Sequence, residues 1–94
     1  MDQNVLDELR QIVNEVAYAA TKKDVQKPLK VLEFRASVLK GTIEPYLSVK
    51  LSETITYAKE TSGNVKNKEH WISCVRENWH IFESGIKQDE TKKS

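Results

Sequence analysis

Apolar residues recur along the chain at alternating steps of three and four positions, and the pattern is clearest near the C-terminal end. Its members there are Ile72, Val75, Trp79, Phe82 and Ile86. At about 100° per residue, this spacing places all five on one stripe of an α-helix. The pattern predicts a helix that starts at residue 64 or 67, ends near residue 88 and buries Trp79 at the centre of a helical core.

The same spacing recurs in three earlier segments. The first predicted helix spans about residues 4–22 and is closed by two lysines, Lys22 and Lys23, which suit the negative end of the helix dipole. Its main stripe is Val5, Leu9, Ile12, Val16 and Ala20, widened by Leu6, Val13 and Ala17. A second helix is expected after Asp24, a residue type common at helix N-caps, and before Gly41. Its stripe is Val25, Leu29, Leu32, Ala36 and Leu39.

The third predicted helix begins near residues 42–44 and carries Pro45 in its first turn, where a missing N–H is tolerated. Ser62 and Gly63 end it. Its stripe contains small and polar members and is the weakest of the four: Leu47, Leu51, Thr54 or Ile55, and Ala58.

Short connections join the four predicted helices, and short connections make sequential helices antiparallel neighbours. We therefore expect an all-α, antiparallel up-down-up-down four-helix bundle, with three long helices plus a loose segment as the alternative. Residues 1–88 form a single helical domain in this prediction. The polar residues 89–94 are expected to be a disordered C-terminal tail.

Composition narrows the range of functions. The formal net charge is +1, so bulk charge points neither to nucleic acid nor to a membrane surface. The sequence has no apolar run long enough to span a bilayer and no signal-peptide pattern at its start, which predicts a cytoplasmic protein without a membrane partner. Cys74 is the single cysteine, which excludes an intrachain disulfide and a cysteine cage for a metal. No cofactor is expected.

Two helices carry a second apolar row beside the main stripe, about 100° away in the case of the fourth helix. On the fourth helix the row is Trp71, Cys74 and Ile81, and on the second it is Val31, Phe34 and Val38. One interpretation is that these two helices form the more buried diagonal of the bundle. The other is that the rows bind a partner, because an apolar row with aromatic members is typical of an interface core. The candidate partner-binding residues are Trp71, Cys74, Ile81, Val31 and Phe34.

His70 and Cys74 lie four residues apart on one helix face. That spacing can supply half of a zinc site, or a thiol beside a base. The sequence identifies neither the remaining ligands nor a third, orienting group. The simpler interpretation is a half-buried cysteine beside the core and a histidine at the surface.

Residues 22–40 have a local excess of positive charge: they contain six basic and two acidic residues, a net of +4. Such a patch is able to bind phosphates. The candidate nucleic-acid residues are Lys22, Lys23, Lys27, Lys30 and Arg35. The alternative is a solvated helix face.

Two functional hypotheses follow from these patterns. Because no catalytic motif is found, the first is a non-catalytic protein–protein interaction module that binds itself, as a homodimer, or another protein through the second rows. The alternative is a small nucleic-acid-associated regulator that uses the basic patch.

Overall fold

Four helices form where the apolar spacing predicts them. In the computed structural model they are α1 (Gln3–Ala17), α2 (Gln26–Leu39), α3 (Pro45–Thr61) and α4 (Lys68–Lys93). The structure describes residues 2–63 and 65–93, and side chains at 2–63 and 65–89. Sequential helices run antiparallel and pack into one elongated bundle of 44 × 24 × 21 Å. The predicted fold class is confirmed.

The first helix ends five residues earlier than predicted, at Ala17 instead of residue 22. Beyond it, the Ala19 carbonyl accepts a hydrogen bond of 2.9 Å from the Gly63 backbone N–H, at the end of α3. This tertiary bond outweighs the helix preference of alanine at positions 19 and 20, because a residue held in this loop cannot also continue the helix. The sequence predicted that Lys22 and Lys23 close α1. In the structure they lie beyond its end and do not.

The buried face of α1 is rotated slightly from the predicted stripe. Its buried residues are Leu6, Leu9, Val13, Val16 and Ala17. Val5 and Ile12 are half-buried, and Ala20 is exposed outside the helix. The rotation arises because α1 contacts all three other helices, so its most buried line faces the middle of the bundle.

The second and third helices follow their predicted stripes. Val25 and Leu32 are buried, and the other stripe members of α2 are half-buried. Val25 is the N-cap of α2 and makes no side-chain capping hydrogen bond, so the predicted capping role of Asp24 is wrong. The Asp24 backbone N–H donates to the Thr21 hydroxyl. All predicted stripe residues of α3 are buried. The helix ends as predicted, with Gly63 at φ +82°, a left-handed conformation that favours glycine.

The fourth helix buries Val75, Trp79, Phe82 and Ile86, with Trp79 only 7% exposed. This confirms the predicted stripe, of which Ile72 is half-buried. The helix continues to Lys93, five residues beyond the expected end. Asn64, one of the two predicted starts, and Ser94 lie outside the described residues. Disorder of residues 89–94 stays a prediction.

The bundle is flattened so that α1 and α3 touch across one diagonal, whereas α2 and α4 do not contact each other anywhere in the described residues. The close approach is possible because α3 presents small residues, Thr54 and Ala58, to the core. The Thr54 hydroxyl donates to the Lys50 carbonyl at 2.8 Å, so its burial leaves no unpaired group. The more buried diagonal is therefore α1–α3. The interpretation that α2 and α4 occupy it is wrong, and both helices keep an outer face.

Candidate interaction surfaces

An exposed apolar surface on the outer side of α1 and α2 contains Phe34, the most exposed large apolar side chain among the described residues. Val31, Phe34 and Val38 are 42%, 70% and 59% exposed, respectively. Beside them runs a groove of about 430 Å³ between the two helices. We call this surface the α1–α2 patch; its apolar lining residues are Val5, Leu9, Val31, Phe34, Val38 and Leu39.

The exposure of this row follows from the orientation of α2. Leu32 is fully buried and fixes the inward face of the helix. Phe34 follows two residues later, about 200° around the axis, so its ring points away from the core. Val31 and Val38 lie on the flank toward α1, and the described residues provide no fifth helix to cover them. An aromatic ring with two branched neighbours in one exposed patch is unusual for an isolated monomer.

Opposite charges border the α1–α2 patch on its two sides. Arg35 of α2 donates to Glu8 of α1 at 2.9 Å across the groove. Glu15 lies two turns beyond Glu8 on the same flank of α1, and Lys27 lies two turns before Phe34 on α2. Glu15 and Lys27 are both exposed. The patch thus has an acidic edge on α1 and a basic edge on α2.

The row on α4 is a different kind of surface. Trp71 and Cys74 are half-buried, and the Trp71 ring packs against Tyr57 of α3 at a centroid distance of 5.9 Å. Farther along the same side, Gly85 lies so close to Leu47 of α3 that an added β-carbon would overlap the leucine. Much of this row therefore packs against α3. Ile81, 38% exposed, is its most open member.

The structure does not bring the two predicted rows together. They lie on the outer helices of the bundle, one beside α1 and the other beside α3, and α2 and α4 are not in contact within the described residues. The five candidate partner-binding residues thus belong to two separate surfaces. Val31 and Phe34 are on the more exposed one.

Sequence reasoning missed several residues of the α1–α2 patch. Val38 was visible in the row, four positions after Phe34, but was not among the candidate partner-binding residues. Val5 was assigned to the core stripe of α1, and it became part of the patch because that helix is rotated. The Glu8–Arg35 pair joins residues 27 positions apart, and no local spacing signals such a contact.

The His70–Cys74 pair is close in space as predicted, with the sulfur 3.9 Å from the imidazole Nε2. The His70 ring also meets the Trp71 ring edge-on at 5.7 Å. Within the described residues, no group of three or more His, Cys, Asp or Glu side chains is placed to hold a metal ion. The pair remains two neighbouring side chains on one helix.

Two of the five candidate nucleic-acid residues have partners inside the molecule. Lys22 donates to the Lys59 carbonyl at 2.8 Å and to the Ser62 hydroxyl at 3.1 Å, and Arg35 pairs with Glu8. Lys23, Lys27 and Lys30 are exposed, with no ion pair to the described part of the chain. Three lysines are a small basis for phosphate binding, since affinity scales with the number of phosphates neutralised.

Comparisons with known proteins identified no relative: no family model matches the chain, and no curated protein or solved structure matches it significantly. In the described part of the chain, no helix is both long enough and apolar enough to cross a bilayer. Any functional proposal therefore depends on the chemistry of the surface itself.

Proposed function

We propose that this protein is a non-catalytic protein–protein interaction module that binds through the α1–α2 patch. The observation that supports this most strongly is the 70% exposure of Phe34, between two exposed valines and beside an apolar groove. Large aromatic side chains that become buried on association contribute a disproportionate share of binding free energy. The patch contains apolar side chains and one ion pair, which suits it to binding another protein surface.

The edges of the patch support the same proposal. Arg35 lines the groove and is held by Glu8, so it presents an ordered charge to an incoming surface. An apolar centre with a charged rim is the usual anatomy of an interface, in which the centre supplies affinity and the rim supplies specificity. The α4 row is mostly packed against α3, so we do not propose it as the main binding surface.

A comparison of matched variants tests the proposal. Phe34→Asp removes the central ring and places a charge in the patch, whereas Tyr46→Asp makes the same kind of change at another exposed aromatic, on α3. Both residues face solvent, so both variants should keep the wild-type circular dichroism spectrum.

Tagged full-length chains would be used to recover partners from an extract of the native host, and any recovered protein would be purified and titrated directly. A partner, including an untagged copy of this chain, should bind wild type and Tyr46→Asp and should bind Phe34→Asp at least about 30-fold more weakly. Equal binding to all three would contradict the proposed surface.

A further inference from the structure

We infer that the partner of the α1–α2 patch is a second copy of this chain, related to the first by a two-fold axis parallel to α1 and α2. The inference rests on the proposed use of the patch as a binding surface, and it names the occupant. It is carried by the shape of the patch, the register of its two helices and the distribution of charge along its edges.

The shape of the patch suits pairing with itself. A closed two-fold dimer uses the same surface on both subunits, so that surface must contain both a projection and a recess. Phe34 is the projection, and the groove between α1 and α2, floored by Leu9, is the recess. Both features occur side by side on the same patch.

The Glu8–Arg35 pair sets the register between the two antiparallel helices. Its 2.9 Å contact joins the ends of two long side chains across the groove, so the two backbone positions lie at about the same height along the bundle. Because each residue rises about 1.5 Å, equal steps in opposite directions from this pair stay about level. Val5 therefore lies near the height of Val38, and Glu15 lies near the height of Lys27.

A two-fold axis parallel to the helices places α1 of one subunit opposite α2 of the other at unchanged height. The patch is then complementary to its copy: Val5 lies opposite Val38 of the partner subunit, and Glu15 lies opposite Lys27 of the partner subunit. Glu8 faces Arg35 of the partner subunit in addition to its own. Apolar residues meet apolar residues, and the acidic edge meets the basic edge.

An axis perpendicular to the helices gives the opposite result. It places α1 against α1 and α2 against α2, so the strip that carries Glu8 and Glu15 faces its own copy. Juxtaposed like charges are costly at an interface, and they act as specificity elements against the wrong arrangement. The charge pattern therefore selects the parallel axis. The net charge of +1 per chain adds little repulsion to either arrangement.

The size of the patch indicates a weak dimer. Helices of 15 and 14 residues are about 22 Å long, and packed helices lie about 8–10 Å apart. The footprint is therefore roughly 20 Å by 20 Å per subunit, or about 800 Å² in total, which is below the range of stable interfaces and fits only weak, transient association. We expect a dissociation constant of ~10–100 μM, set mainly by burial of Phe34.

Charge reversal in two separate chains tests the predicted contact between Glu15 and Lys27 of the partner subunit. Glu15→Lys places two lysines face to face in its homodimer, and Lys27→Glu places two glutamates face to face. Each variant alone should dimerise about 3–10-fold more weakly than wild type at low ionic strength. In an equimolar mixture both contacts become attractive, so heterodimers should form with an affinity close to that of wild type.

Glu60→Lys on α3 provides the control, because Glu60 is exposed and lies outside the patch. Its heterodimer with Lys27→Glu has one attractive and one repulsive contact, so its affinity should lie between those of wild type and Lys27→Glu and below that of the Glu15→Lys and Lys27→Glu heterodimer. Sedimentation equilibrium with one fluorescently labelled variant measures each dissociation constant, and circular dichroism checks the fold.

Restored affinity in the Glu15→Lys and Lys27→Glu mixture supports the two-fold arrangement. A mixture no tighter than the separate variants would overturn it, as would wild type that stays monomeric at about 1 mM. If wild type is monomeric yet another protein binds it in a Phe34-dependent manner, the dimer is wrong and the proposed interaction surface survives. Partner binding that Phe34→Asp leaves unchanged would instead overturn the proposed function.

Discussion

At the scale of single residues, Trp79 combines burial with an unpaired polar group. Its ring packs against Phe82 at a centroid distance of 5.2 Å. Its indole Nε1 is buried without a hydrogen-bond partner in the described part of the chain. A buried donor left unpaired costs about 1–3 kcal/mol. The residue therefore stabilises the core through its area and its contacts, against the cost of that N–H.

This balance predicts different effects for two substitutions of Trp79. Trp79→Ala should lower the free energy of unfolding by about 3–5 kcal/mol, a large part of the stability expected for a chain of this size. Trp79→Phe removes the unpaired N–H and keeps an aromatic ring, so it should cost less than half as much. Urea unfolding followed by circular dichroism measures both. Equal losses in the two variants would contradict the claim that the residue stabilises the core mainly through its ring contacts.

Gly85 lies at a close packing contact between α4 and α3. A β-carbon there would overlap Leu47 Cδ2, and Leu47 is buried. Gly85→Ala should therefore lower the free energy of unfolding by about 1 kcal/mol, although alanine is the better helix former. In a Leu47→Val background the overlap is reduced, and the same substitution should become neutral or stabilising. A double-mutant cycle in urea gives the coupling; additive effects would contradict the close contact.

At the scale of elements, the C-terminal end of α3 is closed by lysines from outside the helix. Lys22, in the loop after α1, donates to the Lys59 carbonyl and the Ser62 hydroxyl, and Lys68 donates to the Gly63 carbonyl at 3.0 Å. Unpaired carbonyls and the negative end of the dipole make a helix C-terminus favourable for cations. These hydrogen bonds tie the loop after α1 and the start of α4 to the end of α3.

Lys22→Met keeps the aliphatic stem and removes these hydrogen bonds, so it should lower the free energy of unfolding by about 1–2 kcal/mol. Lys23→Met, at the exposed neighbour, is the matched control and should change stability by less than about 0.5 kcal/mol. Thermal and urea unfolding of both variants test this. If the two losses are the same, the Lys22 bonds do not stabilise the protein.

The elements also show how far the sequence alone could predict this structure. The stripes of α2, α3 and α4 were visible because burial of one helix face repeats every three or four residues. The early end of α1 was not visible, because it depends on Ala19 and Lys22 reaching the end of α3, about 40 residues away. For the same reason the sequence placed Lys22 at the end of α1 and in a phosphate-binding patch, and did not indicate its contact with the end of α3.

The candidate site was predictable only in part. Phe34 and Val31 were visible as an apolar row, but Trp71 and Cys74 formed an equally good candidate row in the sequence. Which row stays exposed depends on which diagonal of the bundle closes, and that is decided by packing among all four helices. The small residues Thr54 and Ala58 let α1 and α3 approach, and α2 consequently keeps its outer face.

At the scale of the whole molecule, the core is formed by one face of each helix, and the α1–α2 patch stays exposed with opposite charges at its edges. The α1–α2 patch and the α4 row make different predictions about assembly. Phe34→Asp should abolish self-association without loss of helix content. Ile81→Asp, at the most open position of the α4 row, should leave both self-association and folding nearly unchanged.

Sedimentation velocity of wild type across a concentration series, from about 1 μM to about 1 mM, tests the central claim most directly. The α1–α2 patch predicts a shift from monomer to dimer over this range in wild type, Ile81→Asp and Tyr46→Asp, and a monomer throughout in Phe34→Asp. A monomer at every concentration in all four chains would contradict self-association. A dimer lost in Ile81→Asp and kept in Phe34→Asp would place the interface on α4 instead.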